Sequence, residues 1–229
     1  EESYTRQADT YAKMFSLTRQ DIINDDLGAF DDLRSRLGRG SARKLREVFW
    51  TTFLSNASTF WTTAKTNYIE GATTNLGTDG VGLGLAVKAY RTRTSPSADG
   101  GKRLGGMAKT LLVPPELETT ADLLYTARNV GNVKASDGNI YAGKYAPIVA
   151  TELSDSAYTG YSATAFYLLG DKGEVGSPVV VSFLNGQESP TVETSDADFD
   201  TLGVQFRGYH DFGCDQAEYL AGIKSKGAA

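Results

Sequence analysis

The residues with the most chemistry per unit length lie near the carboxyl end. There the stretch YHDFGCD sets the only histidine, His210, beside Asp211 and a short step before the only cysteine, Cys214. An imidazole near a thiol is the pairing that makes a cysteine a nucleophile, because a base that takes up the thiol proton leaves the reactive thiolate. Three features argue against that use. Neighbours on a strand point to opposite faces, a catalytic cysteine and histidine as a rule come from separate segments, and no glycine-flanked nucleophile elbow surrounds the thiol. A strand end with a buried thiol is the expected form of this stretch. Zinc is disfavoured as well: with one histidine and one cysteine, a four-ligand site would need carboxylates, an uncommon structural set.

The remaining constellations have plainer explanations. Gly80-Val81-Gly82-Leu83-Gly84 lacks the spacing, the preceding strand and the following acidic residue of a dinucleotide loop, so close packing is expected to account for its glycines. The pairs Asp25-Asp26 and Asp31-Asp32 could be drawn as acid and base, yet capping and charge at a helix start explain them. The run ETSDADFD, Glu193 to Asp200, lacks the spacing of a calcium-binding EF-hand loop and is expected to be solvated. No catalytic, cofactor-binding or metal-ligating residue is assigned, and no cofactor is expected.

The elements that would position these residues follow from pattern. Residues 25–56 read as one long helix in which Phe30, Leu33, Leu37, Ser41, Leu45, Val48, Phe49 and Phe53 recur at three- and four-residue steps. Arg34, Arg36, Arg39, Arg43, Lys44 and Arg46 occupy its other faces. Roughly 29 residues at about 1.5 Å each give a rod on the order of 43 Å, well beyond the mean helix of about 11 to 12 residues. Gly38 and Gly40 interrupt it, which predicts a close approach by another backbone or a bend.

Before this helix, residues 4–17 alternate like a strand, with Tyr11, Phe15 and Leu17 on one side. Such a first strand needs a distant segment, another subunit or removed residues as partner. Thr18 and Asp21 open a short helical turn. The polar stretch after Asn56, TTAKTNYIEGATTNLGTDG, reads as an ordered loop pinned by Phe60, Trp61, Tyr68 and Ile69. Residues 80–93 read as a helix with Val81, Leu85 and Ala89 on one face, and 95–106 as a loop. A buried strand at 108–113 is stopped by Pro114 and Pro115, which open a helix at 116–128. Then strands are expected at 145–151, 164–169, 178–184, 191–193, 204–211 and 217–224, forming antiparallel sheet. Helices early and strands late indicate an α+β fold.

Composition limits the function. The 229 residues allow one large or two small domains, and 40% hydrophobic with 22% charged content describes neither a membrane-spanning nor a charge-driven disordered chain. A net charge of -5 lacks the basic excess of a protein that grips nucleic acid by its phosphates. One cysteine cannot form an internal disulfide, which fits a reducing compartment. No run approaches the ~18 apolar residues of a membrane span, and the amino end has no export-signal pattern. The first residue is Glu1, as expected of a processed or excised product.

Several segments together resemble the major capsid proteins of tailed bacteriophages, specifically the Mu-like prophage head-subunit group and its protease-fused relatives. They are YAKMFSLTRQDIINDDLGAF leading into the long helix, LLVPPELETTADLL, SFLNGQESPTVE and FDTLGVQFRGYHDFG, in that order and spread over nearly the whole chain. The resemblance implies the phage major capsid fold, with a long spine helix, an antiparallel peripheral sheet and an axial α+β domain. It implies residues 1–17 as the returning strand of an extended loop, 18–75 as the peripheral domain with the spine helix, 76–170 as the axial domain and 171–229 as the peripheral sheet. A hairpin at about 185–201 would face other capsomers. The family's amino-terminal arm and the outgoing half of that loop have no counterpart before Tyr4, nor is there a loop tip to carry a crosslinking lysine. Residues 1–229 are therefore expected to stay monomeric or in small oligomers, and a longer precursor to form shells.

The function expected on this basis is that of a non-enzymatic structural subunit of an icosahedral phage or prophage head, located in the virion and assembled in the cytoplasm of a bacterial host. Its implied partners are further copies of itself in pentamers and hexamers, a scaffold, a prohead protease, a portal, and packaged DNA enclosed without sequence-specific binding. No membrane partner is implied. An encapsulin-type shell protein is the alternative, and a small thiol hydrolase using Cys214 and His210 comes third.

Overall fold

A computed structural model of the chain describes residues 6–24, 29–56, 59–95, 100–129, 138–196 and 203–227. The chain divides into two compact units, one made of residues 1–50 and 180–215, the other of 51–179 and 216–229. Among the described residues no helix is long and apolar enough to cross a membrane.

The first unit is built on β8 (Gly203–Gln216), which pairs antiparallel with β1 (Asp9–Thr18) from Asp9 opposite Phe212 to Thr18 opposite Gly203. β7 (Thr191–Asp196) and β6 (Val179–Phe183) also pair with β8, so β1 is an edge of this sheet. Of the three partners foreseen for the first strand, the distant segment is the one found. Tyr11, Phe15 and Leu17 are its half-buried residues, and the Tyr11 ring stacks on Phe212 at 4.5 Å. α1 (Arg19–Asn24) follows β1, and then α2 (Ala29–Leu54) begins. Leu37 of α2 is buried against Gly208, with side-chain carbons 3.2 to 3.4 Å from where a Cβ would stand, so a side chain at 208 would require Leu37 to shift.

α2 holds 26 residues, about 39 Å at ~1.5 Å per residue. Asp25 and Asp26 lie outside the described residues, as do the side chains of residues 29–34. Leu37 and Phe53 of the expected stripe are buried, Ser41, Leu45, Val48 and Phe49 half-buried, and Leu54, which lies off it, is also buried. Of the two outcomes expected at Gly38 and Gly40, a close approach by another backbone is not found among the described residues. Apart from the helix's own backbone, nothing lies within 4 Å of a Cβ built on either, so no other part of the described chain approaches closely there. Each still costs about 1 kcal/mol of helix propensity against Ala.

The second unit is a five-stranded sheet in the order β2 (Tyr68–Ile69), β9 (Gly222–Ser225), β5 (Phe166–Gly170), β3 (Ala108–Val113), β4 (Ala146–Val149). It is mixed, contrary to the antiparallel expectation: β3 runs parallel to β4, and β2 parallel to β9. The reason lies in the strand-proline-helix junction. Pro115–Leu117 form a 3-10 turn that leads into α4 (Glu118–Thr126), and a helical crossover returns the chain beside β3 in the same direction. The expected strand at 217–224 is also corrected, since Tyr219–Ala221 form a 3-10 turn and only the last part is strand. The two-residue β2 escaped prediction, being too short to show periodicity. α5 (Lys172–Val175) is a single turn capped by Asp171, whose side chain accepts from the Gly173 amide.

The core of this unit joins Leu111 and Val113 of β3, Phe166 and Leu168 of β5 and Ile223 of β9 to α3 (Val81–Thr92). The face of α3 differs from the expected one: Gly82, Leu83, Ala86 and Tyr90 are buried, while Val81 is 51% exposed. Gly82 explains the choice. A Cβ there would stand 1.9 Å from the carbonyl oxygen of Asn75, so only glycine lets the helix meet the preceding loop, and Leu83, Ala86 and Tyr90 then share the inward stripe. Its place in GVGLG is thus a packing matter. The loop before α3 is held as expected by aromatics, Trp61 packing on Phe53 at 5.8 Å and Tyr167 at 5.5 Å. Asn67, fully buried, adds what pattern did not show: its side chain donates to the Phe60 carbonyl at 2.8 Å and accepts from the Thr62 amide at 2.9 Å.

Arg93 is 1% exposed. Its Nε donates to the Tyr90 carbonyl at 2.7 Å and its guanidinium lies 3.4 Å from the Tyr90 ring centre, yet both terminal nitrogens lack a hydrogen-bond partner among the described residues. Burial lowers its pKa, the sign of a charge held at a cost.

Two outcomes follow for unfolding of the chain in urea. Leu83→Ala is expected to cost about 2 to 5 kcal/mol and Val81→Ala under about 0.5 kcal/mol, and equal costs would mean the α3 face is wrong. Arg93→Met keeps the stem and removes the unpaired charge, so its midpoint is expected to stay or rise, whereas Arg93→Ala lowers it.

Candidate assembly surface

The residues singled out in YHDFGCD lie on β8, with His210, Phe212 and Cys214 alternating toward the buried side. His210 is 5% exposed. Its Nδ1 is 2.8 Å from Ser41 Oγ of α2, its ring stacks on Phe183 at 5.5 Å, and Nε2 has no hydrogen-bond partner among the described residues. The histidine thus ties helix to sheet through Ser41. Cys214 is buried, and burial together with the Asp215 carboxylate pushes its thiol up to about 11, opposite to what a nucleophile requires. Asp211 keeps one buried carboxylate oxygen without a partner among the described residues.

The acidic run begins inside the strand expected at 191–193, which continues to Asp196. Glu193 of β7 stands opposite Arg207 on β8 and pairs with it. Arg207 holds the Glu193 carboxyl below its usual range. Residues 197–200 lie outside the described residues. Among the described residues no group of three or more His, Cys, Asp or Glu side chains is placed to hold a metal ion.

Tertiary structure brings together a different set. A groove of about 830 Å³ opens in the first unit between α2, β1 and β8. Its floor includes Tyr11, Phe15 and Leu37, and Ser41 and the buried His210 line it as well. Lys13, Arg36, Arg39, Arg43 and Lys44 surround it, and none of its lining residues is acidic. Two of these cations lie near aromatic rings, Lys44 Nζ at 5.7 Å from the centre of Tyr11 and Lys13 Nζ at 5.2 Å from that of Phe15. Arg36, Arg39 and Arg43 recur at helical spacing, so a basic stripe was visible in sequence. Its proximity to Tyr11 and Phe15 was not, because the β1 to β8 register decides it.

The chemistry of Cys214 can be checked by alkylation. At pH 8 the folded chain is expected to react with iodoacetamide about two orders of magnitude more slowly than the unfolded chain, in proportion to thiolate content. Because the folded pKa is raised, the thiol's contribution to stability is full below the unfolded value of ~8.5 and is lost as pH rises toward 11. Fast single-site alkylation of the folded chain at neutral pH would contradict this.

A model of the family described as phage capsid protein matches residues 1–225. No curated protein sequence matches the chain. Solved structures with the same fold include one from Mycobacterium phage Che8, at 14% identity and TM-score 0.53, covering 96% of this chain and 72% of that one. Another is the mature capsid of bacteriophage PhiM1, at 11% identity and TM-score 0.56, covering 95% and 70%. A third is the SrpI encapsulin of Synechococcus elongatus, at 9% identity and TM-score 0.53, covering 96% and 74%. The fold is shared between phage and encapsulin shells; by the family match the chain belongs to the phage capsid protein family, as a structural subunit of a phage head.

Proposed function

We propose that this protein closes into an icosahedral head of pentamers and hexamers, enclosing DNA without reading its sequence, in the virion of a Mu-like phage or prophage. The observation that carries the reading is the family match over residues 1–225 together with a fold shared with subunits of assembled capsids. In this reading residues 1–17 are the returning strand of an extended loop, 18–75 a peripheral domain on the α2 spine, 76–170 an axial domain and 171–229 the peripheral sheet, with β2 and β9 joining the sheet of the second unit. β1 supports this role, because its outer edge offers a row of backbone donors and acceptors to a neighbour. Heterologous contacts of that kind repeat and close into rings. A scaffold, a prohead protease and a portal are its proposed partners during assembly in the host cytoplasm. An encapsulin-type shell is the second reading, favoured only by the fold likeness to SrpI encapsulin.

Electron microscopy and light scattering on residues 1–229 and on a longer precursor test the reading. Closed shells of uniform diameter are expected from the precursor, because heterologous contacts repeated on every subunit close on themselves. A precursor that stays monomeric at high concentration would overturn the proposal. Shells filled with a protein cargo in place of nucleic acid would establish the encapsulin reading.

A further inference from the structure

Between β6 and β7 stands Asn185-Gly186, the one asparagine-glycine step in the sequence. Leu184 to Gln187 form a turn closed by the Gln187 amide, which donates to the Leu184 carbonyl at 3.1 Å. Both inner residues take positive φ, 53° at Asn185 and 71° at Gly186, the combination of a type I′ turn. Residues 184–189 are exposed, and nothing lies within 4 Å of a Cβ built on Gly186. We propose that Asn185 is a site of slow self-modification, in which its amide becomes a carboxylate through a cyclic imide with Gly186, and that opening of this turn is the step that permits it. The inference does not rest on the shell-forming reading.

In the reaction the backbone nitrogen of Gly186 bonds to Cγ of Asn185. The bond from Cγ to Nδ2 breaks, and Nδ2 leaves as ammonia with the proton that the attacking nitrogen gives up. Water then opens the imide at either carbonyl, which leaves an aspartyl or an isoaspartyl residue at 185. Glycine favours this because it has no side chain to shield the nitrogen. Every other asparagine of the chain precedes a residue that has one.

The turn decides when the reaction occurs. At ψ 21° the Gly186 nitrogen is rotated toward the Asn185 amide and away from its Cβ, so Cγ is out of reach. Attack needs a large rotation about ψ, and that rotation parts the Leu184 carbonyl from the Gln187 amide. The opening is local: it gives up this hydrogen bond and leaves β6 and β7 paired with β8. The isoaspartyl product cannot close the turn again, because its main chain runs through Cβ and Cγ and is longer by a methylene. The same turn walls a cavity of about 170 Å³ that Thr191, His210 and Asp211 also line. His210 Nε2 and Asp211 Oδ1 are buried without a partner among the described residues, and an open turn exposes them to water and to a new carboxylate.

The test incubates the folded chain, and in parallel the chain unfolded in urea, in mildly alkaline buffer. Tryptic peptides are then read by mass spectrometry; the peptide of residues 173–207 holds Asn185 as its only asparagine. Conversion of amide to acid is expected in this peptide before any other, and about ten-fold or more slower in the folded chain than in urea. Equal rates in the two states would overturn the gate. No conversion in the folded chain, or an earlier conversion at another asparagine, would overturn the site. Gly186→Val covers the attacking nitrogen and is expected to slow conversion about ten-fold or more in urea, a readout that does not depend on the variant folding. An unchanged rate there would overturn the imide route. Hydrogen exchange at the Gln187 amide is expected to be slowed in the unaltered chain and fast in the isoaspartyl product, and retained protection would refute the lasting opening of the turn.

Discussion

The pairing of β8 with β1 is the constraint on which the first unit depends. Ten residues of β1 face ten of β8, and the same strand carries β6 and β7, so one backbone ladder holds four strands. Side chains on β8 alternate, with Phe206, His210, Phe212 and Cys214 toward the buried side. A slip of one residue would turn all of them outward and bring Arg207 and Asp211 in. The register also sets Tyr11 opposite His210, and from it follow the stacking on Phe212, the seat of Leu37 on Gly208 and the walls of the basic groove.

In the second unit the corresponding constraint is polar satisfaction in a dry interior. Asn67 meets it fully, its amide bridging a loop that would otherwise carry unpaired backbone groups into the core. Among the described residues Arg93 meets it only through Nε and the face of Tyr90. Hydrophobic packing among Leu83, Leu111, Val113, Phe166, Leu168 and Ile223 supplies the stability that tolerates such a residue.

A shell subunit must keep a rigid core and still present unsatisfied edges to its neighbours. Both occur here. The interior strands and α3 pack tightly, whereas the edge of β1 and the rim of the groove are exposed to whatever adjoins them. No activated nucleophile interrupts this arrangement in YHDFGCD, where the thiol is buried and held protonated while the imidazole ties sheet to helix through Ser41.

Local signals in the sequence determined a good deal. The span of α2, the strand at 108–113 with its proline stop, the aromatic-pinned loop and the half-buried side of β1 all follow from periodicity, capping and turn chemistry, which act over a few residues. The family resemblance was likewise readable because its four segments are contiguous runs. What only the tertiary structure decided depends on contacts far apart in the chain. The partner of β1, the parallel course of β4 and β2, and the inward face of α3 were each settled by which distant surface arrived. The face of α3 shows the physical reason most clearly: Val81, Leu85 and Ala89 have helical spacing as good as that of Leu83, Ala86 and Tyr90, and the contact of Gly82 with Asn75 breaks the tie. The groove belongs to the same class, because a basic stripe on a helix becomes a site only when a strand with aromatic residues is laid beside it.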